Sequence, residues 1–272
     1  MVIYMVTDSN FHTHTTYCDG KSTPEEVVLS AVEKGFRAIG FSGHSGPGFC
    51  TYKIRDLSAY KNEINALKKK YKNEIEIYLG VEEEALSYLN REEFDYIIGA
   101  SHYVEKNGEY YPVDSNIEKF NKCIEVFGGD YLKFSEAYFE RYLTYLKIRK
   151  PDIIAHFDLV TKFDEKNSIA LGKDPKYREI AMKYLKEAVN VGSVFEMNTG
   201  AISRGYRKTP YPSLELLYEL KRSDSKIMIN SDSHHRGTIA ESFELCEDIL
   251  KDIGFQFIYT IKKGEFVKVP LK

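Results

Sequence analysis

Short apolar runs alternate with longer helical patterns along this 272-residue chain, and parallel strands joined by crossover helices produce that beat. About seven such units are legible. Strand-like runs fall at 38–42, 76–81, 96–100, 153–155, 194–197 and 227–230, with a closing hairpin across 255–261 and 265–269. Helical stretches at 57–71, 176–191, 213–221 and 239–250 lie between them. The first helix is announced by Thr23, Pro24 and Glu26: an N-cap, a proline at the first helical position and a capping-box glutamate.

No internal repeat, low-complexity tract or Pro/Gly/Ser linker divides the chain, and its length suits one α/β barrel. A single domain over 1–272 is therefore expected, with a helical elaboration at about 103–150. The second helical pattern there carries Tyr131, Phe134, Tyr138, Tyr142 and Tyr145, a spacing that predicts a packing face.

Composition narrows the functional classes. With 43% hydrophobic and 29% charged residues the chain can bury a core, and it lacks the signature of disorder. A net charge of −3 argues against a nucleic-acid or anionic-membrane partner. Cys18, Cys50, Cys123 and Cys246 form no CxxC pair, which suits a reducing cytoplasm. Residues 1–6 have no basic leader pattern, and no run approaches the about 18 apolar residues of a membrane span. The oligomeric state is not legible.

All seven histidines fall at or just past the C-terminal end of an expected strand: His12, His14, His44, His102, His156, His234 and His235. In α/β barrels that rim is where residues distant in sequence converge on an active site. Asp19, Glu82 and Asp232 sit among them, and imidazole with carboxylate but no cysteine cluster suits zinc, manganese or iron. His12 and His14 share one face of an extended strand, as do Asp232 and His234. About nine candidate ligands among these ten residues exceed what one ion needs, so two or three divalent metal ions are expected.

At FHTHTTYCDG, FSGHS, LGVEEE, ASHYV with PVD, PDIIAHFDLVTKF, FEMNTGAISRGYRKTPYPS and INSDSHH the sequence resembles the PHP (polymerase and histidinol phosphatase) family, in its histidinol-phosphatase branch. The resemblance implies a distorted (β/α)7 TIM-like barrel with its metal site at the C-terminal rim. It also implies that His12, His14, Glu82 and Asp232 hold one ion, with Glu82 bridging toward a second held by His102 and His156, and that Asp19, His44 and His234 serve a third. Among the three adjacent glutamates, Glu82 and Glu84 share a strand face and Glu83 points away.

Arg204 and Arg207, in a glycine-containing loop at the same rim, are candidates to grip phosphate, and His235 is a candidate substrate contact. No side chain stands out as nucleophile; hydroxide generated by the metal is expected to attack. The expected reaction is hydrolysis of L-histidinol phosphate to L-histidinol and inorganic phosphate, with a small phosphorylated metabolite as the partner. The alternative keeps the metal site and changes the ester to a phosphotyrosine protein, a nucleotide or another metabolite. A non-catalytic scaffold would predict a missing ligand, and an amidohydrolase a different ligand order. Asp158 and Glu105 are candidates for recognising the amine and imidazole, and aromatic residues of 103–150 for stacking.

Overall fold

The computed structural model describes residues 7–167 and 169–271; the stretch 1–6, read above for a leader, lies outside them. Seven strands run parallel in the order β1 (Ser9–Asn10), β2 (Ala38–Phe41), β3 (Glu76–Glu84), β4 (Tyr96–Ala100), β7 (Ile153–Ile154), β8 (Val194–Asn198) and β9 (Ile227–Asn230). The sheet curls until its edges meet: Thr13 bridges Ser233 in parallel, with His14 N–H donating to Ser233 O (2.8 Å) and Ser233 N–H to His12 O (3.2 Å). This is the expected (β/α)7 barrel. Its distortion lies in strands as short as two residues and in a closure made by a bridge rather than a ladder.

The crossovers carry α1 (Pro24–Glu33), α2 (Leu57–Lys70), α3 (Ile117–Val126), α4 (Tyr131–Arg149), a single turn α5 (Asp164–Asn167), α6 (Pro175–Val189), another turn α7 (Gly200–Ser203), α8 (Leu214–Arg222) and α9 (Phe243–Ile253). α1 starts where the sequence placed it, because Thr23 and Glu26 cap each other reciprocally. No described helix is long and apolar enough to cross a membrane. An antiparallel hairpin, β10 (Phe257–Lys262) and β11 (Glu265–Pro270), reaches the N-terminal ends of the barrel strands, where Ser9 Oγ meets Thr260 Oγ1 at 2.8 Å and Lys263 N–H donates to Glu76. Inside the barrel Phe11, Tyr78, Tyr96, Ile98, Met228 and Ile261 pack together, so the interior is a core and not a channel.

Part of the region expected to be helical is strand. β5 (Tyr103–Lys106) and β6 (Glu109–Pro112) form a hairpin about Asn107-Gly108, both with positive φ (55° and 81°). That dipeptide favours a tight hairpin turn whose twist matches the flanking strands, and the longer helical periodicity around it masks the signal.

The aromatic face of α4 packs as expected at Phe134, Tyr138, Tyr142 and Tyr145, while Tyr131 at the start of the helix is exposed, and the face also makes hydrogen bonds. Tyr138, Tyr142 and Tyr145 are buried against β4 and β7; Tyr142 OH lies 2.6 Å from Gly99 O and 2.8 Å from Ala155 O, and Tyr138 OH donates to Phe157 O. These hydroxyls engage carbonyls at the strand ends that carry His102 and His156. Tyr142→Phe removes the hydroxyl from Ala155 O and leaves Gly99 O with only the Ala155 N–H; it is expected to cost about 1–3 kcal/mol, read as a lower urea midpoint at unchanged m-value.

Candidate metal centre

Six of the seven barrel strands deliver one or two ligating groups to the same point. His12 and His14 follow β1, His44 follows β2, Glu82 lies within β3, His102 and His156 follow β4 and β7 by two residues, and Asp232 and His234 follow β9. Asp19 comes from the loop between His14 and α1. All nine expected ligands fall into groups of three or four whose donor atoms lie within 4.8 Å of one another.

The separations bring these residues into overlapping groups that share Glu82, whose Oε2 also lies 2.6 Å from His44 Nδ1. His14 Nε2 lies 3.6 Å from Glu82 Oε2 and 3.1 Å from Asp232 Oδ1; His12 Nε2 lies 3.4 and 3.7 Å from the same oxygens. The other oxygen of Glu82 faces His156 Nε2 at 3.0 Å and His102 Nε2 at 3.3 Å. Asp19 spans His44 (3.5 Å) and His234 (3.3 Å). Two ligands each about 2.0–2.2 Å from an ion in tetrahedral geometry stand about 3.3–3.6 Å apart. Most of these distances suit a shared ion as well as they suit a hydrogen bond. Moreover, Nε2 of His12 and of His14 is buried with no hydrogen-bond partner among the described residues, and such orphaned donors and acceptors call for an occupant. The donor set therefore fits divalent metal.

Neighbouring charges act on its members in opposite directions: despite burial, Glu196 and Glu82 raise His12, and Glu82 raises His44 and His102, whereas His14 and the two carboxyls are lowered. Burial and the adjacent imidazoles of His44 and His234, stacked at 4.1 and 4.2 Å, push His14 down to about 3, so it stays neutral with a lone pair to give. Burial opposes ionisation of Glu82 and Asp232, but His44, His12 and His102 around Glu82, and Arg204 and His12 beside Asp232, outweigh it and hold both carboxyls well below their ordinary range.

A second layer of carboxylates orients the imidazoles. His12 donates Nδ1–H to Glu196 Oε2 (2.6 Å), and Glu196 also accepts from Asn230, Asn198 and the backbone N–H of His156. His102 Nδ1 and its own backbone N–H both reach Glu84 Oε2 at 2.9 Å. With Nδ1 protonated, Nε2 is left aimed at the centre. Glu83 points away as its register predicts, paired with Arg149 at 2.5 and 2.8 Å. The Asp232 backbone is left-handed (φ 47°), and its carboxylate lies so close to Gly200 that a Cβ there would stand 2.7 Å from Oδ2.

Of the three other expected contacts only Arg204 borders the cleft, donating to Asp232 O and Oδ2 at 2.9 Å. Arg207 is buried beside it, donating to Thr161 Oγ1 (2.5 Å) with its guanidinium over the Tyr211 ring. A loop charge thus became an internal tie. His235 turns outward, its Nδ1 accepting from Gly237 N–H to cap the turn 236–238. Asp158, buried, accepts from Ser213 N–H, and exposed Glu105 accepts from Gly108 N–H; neither borders the cleft. Glu84 shares the strand face of Glu82 as its register predicts, whereas Glu196, Asp114 and Lys162 carry no spacing that marks them. A carboxylate inside the apolar run VFEM is the signal that Glu196 offered.

The cleft above the ligands has a volume of about 520 Å³ and runs from Asp19, Arg204 and Asp232 to Phe49, Tyr103 and Tyr110. A model of the PHP domain matches residues 10–200. The chain belongs to the PHP domain family. Among PHP relatives, a Schizosaccharomyces pombe protein named "Probable histidinol-phosphatase" is 28% identical over 88% of this chain and 84% of its own. The histidinol-phosphatase of Bacillus subtilis is 23% identical over 86% and 96%. The PHP fold here is also that of the histidinol phosphate phosphatase from Lactococcus lactis, solved with zinc, L-histidinol and phosphate: TM-score 0.73, 20% identity, covering 96% of this chain and 99% of that one.

Because Glu196 orients His12, Glu196→Gln is expected to weaken divalent-metal binding about 10–100-fold, measured by titrating zinc or manganese into stripped protein. Chelation should also lower the melting temperature, since the ligand set is assembled only in the folded state.

Proposed function

We infer that this PHP protein is a divalent-metal-dependent phosphomonoesterase that hydrolyses L-histidinol phosphate to L-histidinol and inorganic phosphate. The observation that carries the reading is the nine-ligand cluster with Arg204 beside it, on the floor of a cleft sized for a small metabolite. The relatives' names supply the substrate. His12, His14, Asp19, His44, Glu82, His102, His156, Asp232 and His234 are proposed to hold two or three ions of zinc, manganese or iron. When bound, such ions neutralise charge on phosphoryl oxygens and generate hydroxide at neutral pH.

The chain's own residues divide the remaining work. Arg204 has five N–H donors, and two go to Asp232 O and Oδ2; others are offered to a non-bridging phosphoryl oxygen. Asp232 fixes that guanidinium from behind. Glu84 and Glu196 hold two imidazoles in one orientation, so little reorganisation accompanies the reaction. The chain is read as one domain acting on a small phosphorylated metabolite in the cytoplasm, where its four unpaired cysteines stay reduced.

The test is phosphate release by stripped protein reloaded with zinc, manganese or iron, offered L-histidinol phosphate, an aryl phosphate, a phosphotyrosine peptide and a nucleotide. L-Histidinol phosphate is expected to lead by several orders of magnitude in kcat/KM, and His14→Ala to abolish the activity. Uniformly slow turnover of all four by metal-loaded protein would sink the substrate assignment.

A further inference from the structure

The end of the cleft away from Arg204 is built from a different chemistry. The β5–β6 hairpin brings Tyr103 and Tyr110 to the mouth, where Phe49 stacks on Tyr110 (centroids 5.6 Å apart, 19° between planes) and meets Tyr103 edge-on at 5.5 Å. Phe49 is 52% and Tyr110 41% exposed, a large apolar area left in water at the entrance to a site. Tyr52 lines the wall below them, edge-on to both His44 and His102.

One carboxylate faces this aromatic end. Asp114 follows β6 by two residues, and its loop is pinned to the metal floor because Val113 N–H donates to His102 O at 2.9 Å. Lys162 Nζ, on the turn that follows His156, donates to Asp114 O (2.6 Å) and lies 3.4 Å from Oδ2. Oδ1 accepts no hydrogen bond from any described residue, while the side chain keeps 25% exposure toward the cleft. Burial opposes its ionisation, yet Lys162, His102 and His156 hold the carboxyl below its usual range. The result is a carboxylate held on one oxygen by Lys162, with its other oxygen free beside open aromatic faces. That combination is complementary to a cation on a flat ring or short chain.

A phosphate ester whose phosphoryl group sits at Arg204 and the metal floor turns its alcohol part toward this end. Resting on the phosphatase reading above, we propose that Asp114, backed by Phe49 and Tyr110, selects phosphate esters whose alcohol part carries a positive charge. Asp114 takes the place that the sequence had offered to Asp158 and Glu105.

The test compares kcat/KM of the metal-loaded protein for L-histidinol phosphate, phosphoethanolamine and neutral ethyl phosphate. Unsubstituted protein is expected to favour the two cationic esters. Asp114→Asn should cut that preference about 10–100-fold, the range of a charged hydrogen bond, chiefly through KM. Phe49→Ala and Tyr110→Ala, exposed enough to spare the core, should cut the preference for L-histidinol phosphate about 3–10-fold and keep the idea testable if Asp114→Asn does not fold. An equal loss on all three esters in Asp114→Asn, or no preference for charge in the unsubstituted protein, overturns the proposal. Poor turnover of L-histidinol phosphate alongside an Asp114-dependent preference for phosphoethanolamine over ethyl phosphate removes the substrate assignment and leaves the proposal standing.

Discussion

The architecture converges on one carboxylate. Glu82 is 1% exposed and faces the imidazoles of His12, His14, His44, His102 and His156, each within 3.6 Å. An ionised group this deep is costly unless it is compensated. The compensation comes from four loops at one end of a parallel barrel, which is why the strand ends, rather than their middles, carry the polar residues. Glu82 itself sits where β3 outruns β2: past Phe41 the ladder gives way to a single bridge between His44 and Glu82, and the strand projects its carboxylate into the gap.

The surrounding structure holds that cluster open against its own tendency to collapse. Glu196 binds four donors drawn from the loop after β1, from β8 and β9, and from the backbone of the residue that carries the His156 ring, so one side chain sets the spacing of the barrel rim. Tyr142, from outside, tethers the ends of β4 and β7. Asp232 accepts a left-handed backbone, a conformation worth about 1–3 kcal/mol of strain for a non-glycine residue, and Arg204 holds its carboxylate in the resulting position. Stability is spent at this rim to keep ligand atoms unpaired and aimed at shared points, as expected of a site organised before its ligands arrive.

Much of this was legible because period and residue type report directly on local geometry. The α1 capping box, the strands at 96–100 and 227–230, and the opposite facing of Glu82 and Glu83 follow from rules that reach only a few residues along the chain. What failed concerned partners. Arg204 and Arg207 stand three residues apart in one loop, yet one borders the cleft and the other lies under Tyr211, because Thr161 and Tyr211, distant in sequence, offered Arg207 a buried seat. His235 differs from His234 only in which way the chain turns after Asp232. The hairpin at 103–112 was hidden inside a helical stretch although its Asn-Gly turn is a short-range signal.

By itself, then, the sequence determined a parallel barrel and the gathering of its histidines and three carboxylates at one rim, since strand alternation and the position of each histidine just past a strand end are local properties, and the resemblance to the PHP family picked out nine of them. Only the tertiary structure decided which residues stand behind those nine and which line the rest of the cleft. Glu196 beneath His12, and Asp114 opposite the aromatic lip, owe their places to contacts across 184 residues and to a hairpin folded over the mouth. A side chain's role there is set by the direction in which it leaves the backbone and by what waits at the other end, and neither is encoded in its neighbours along the chain.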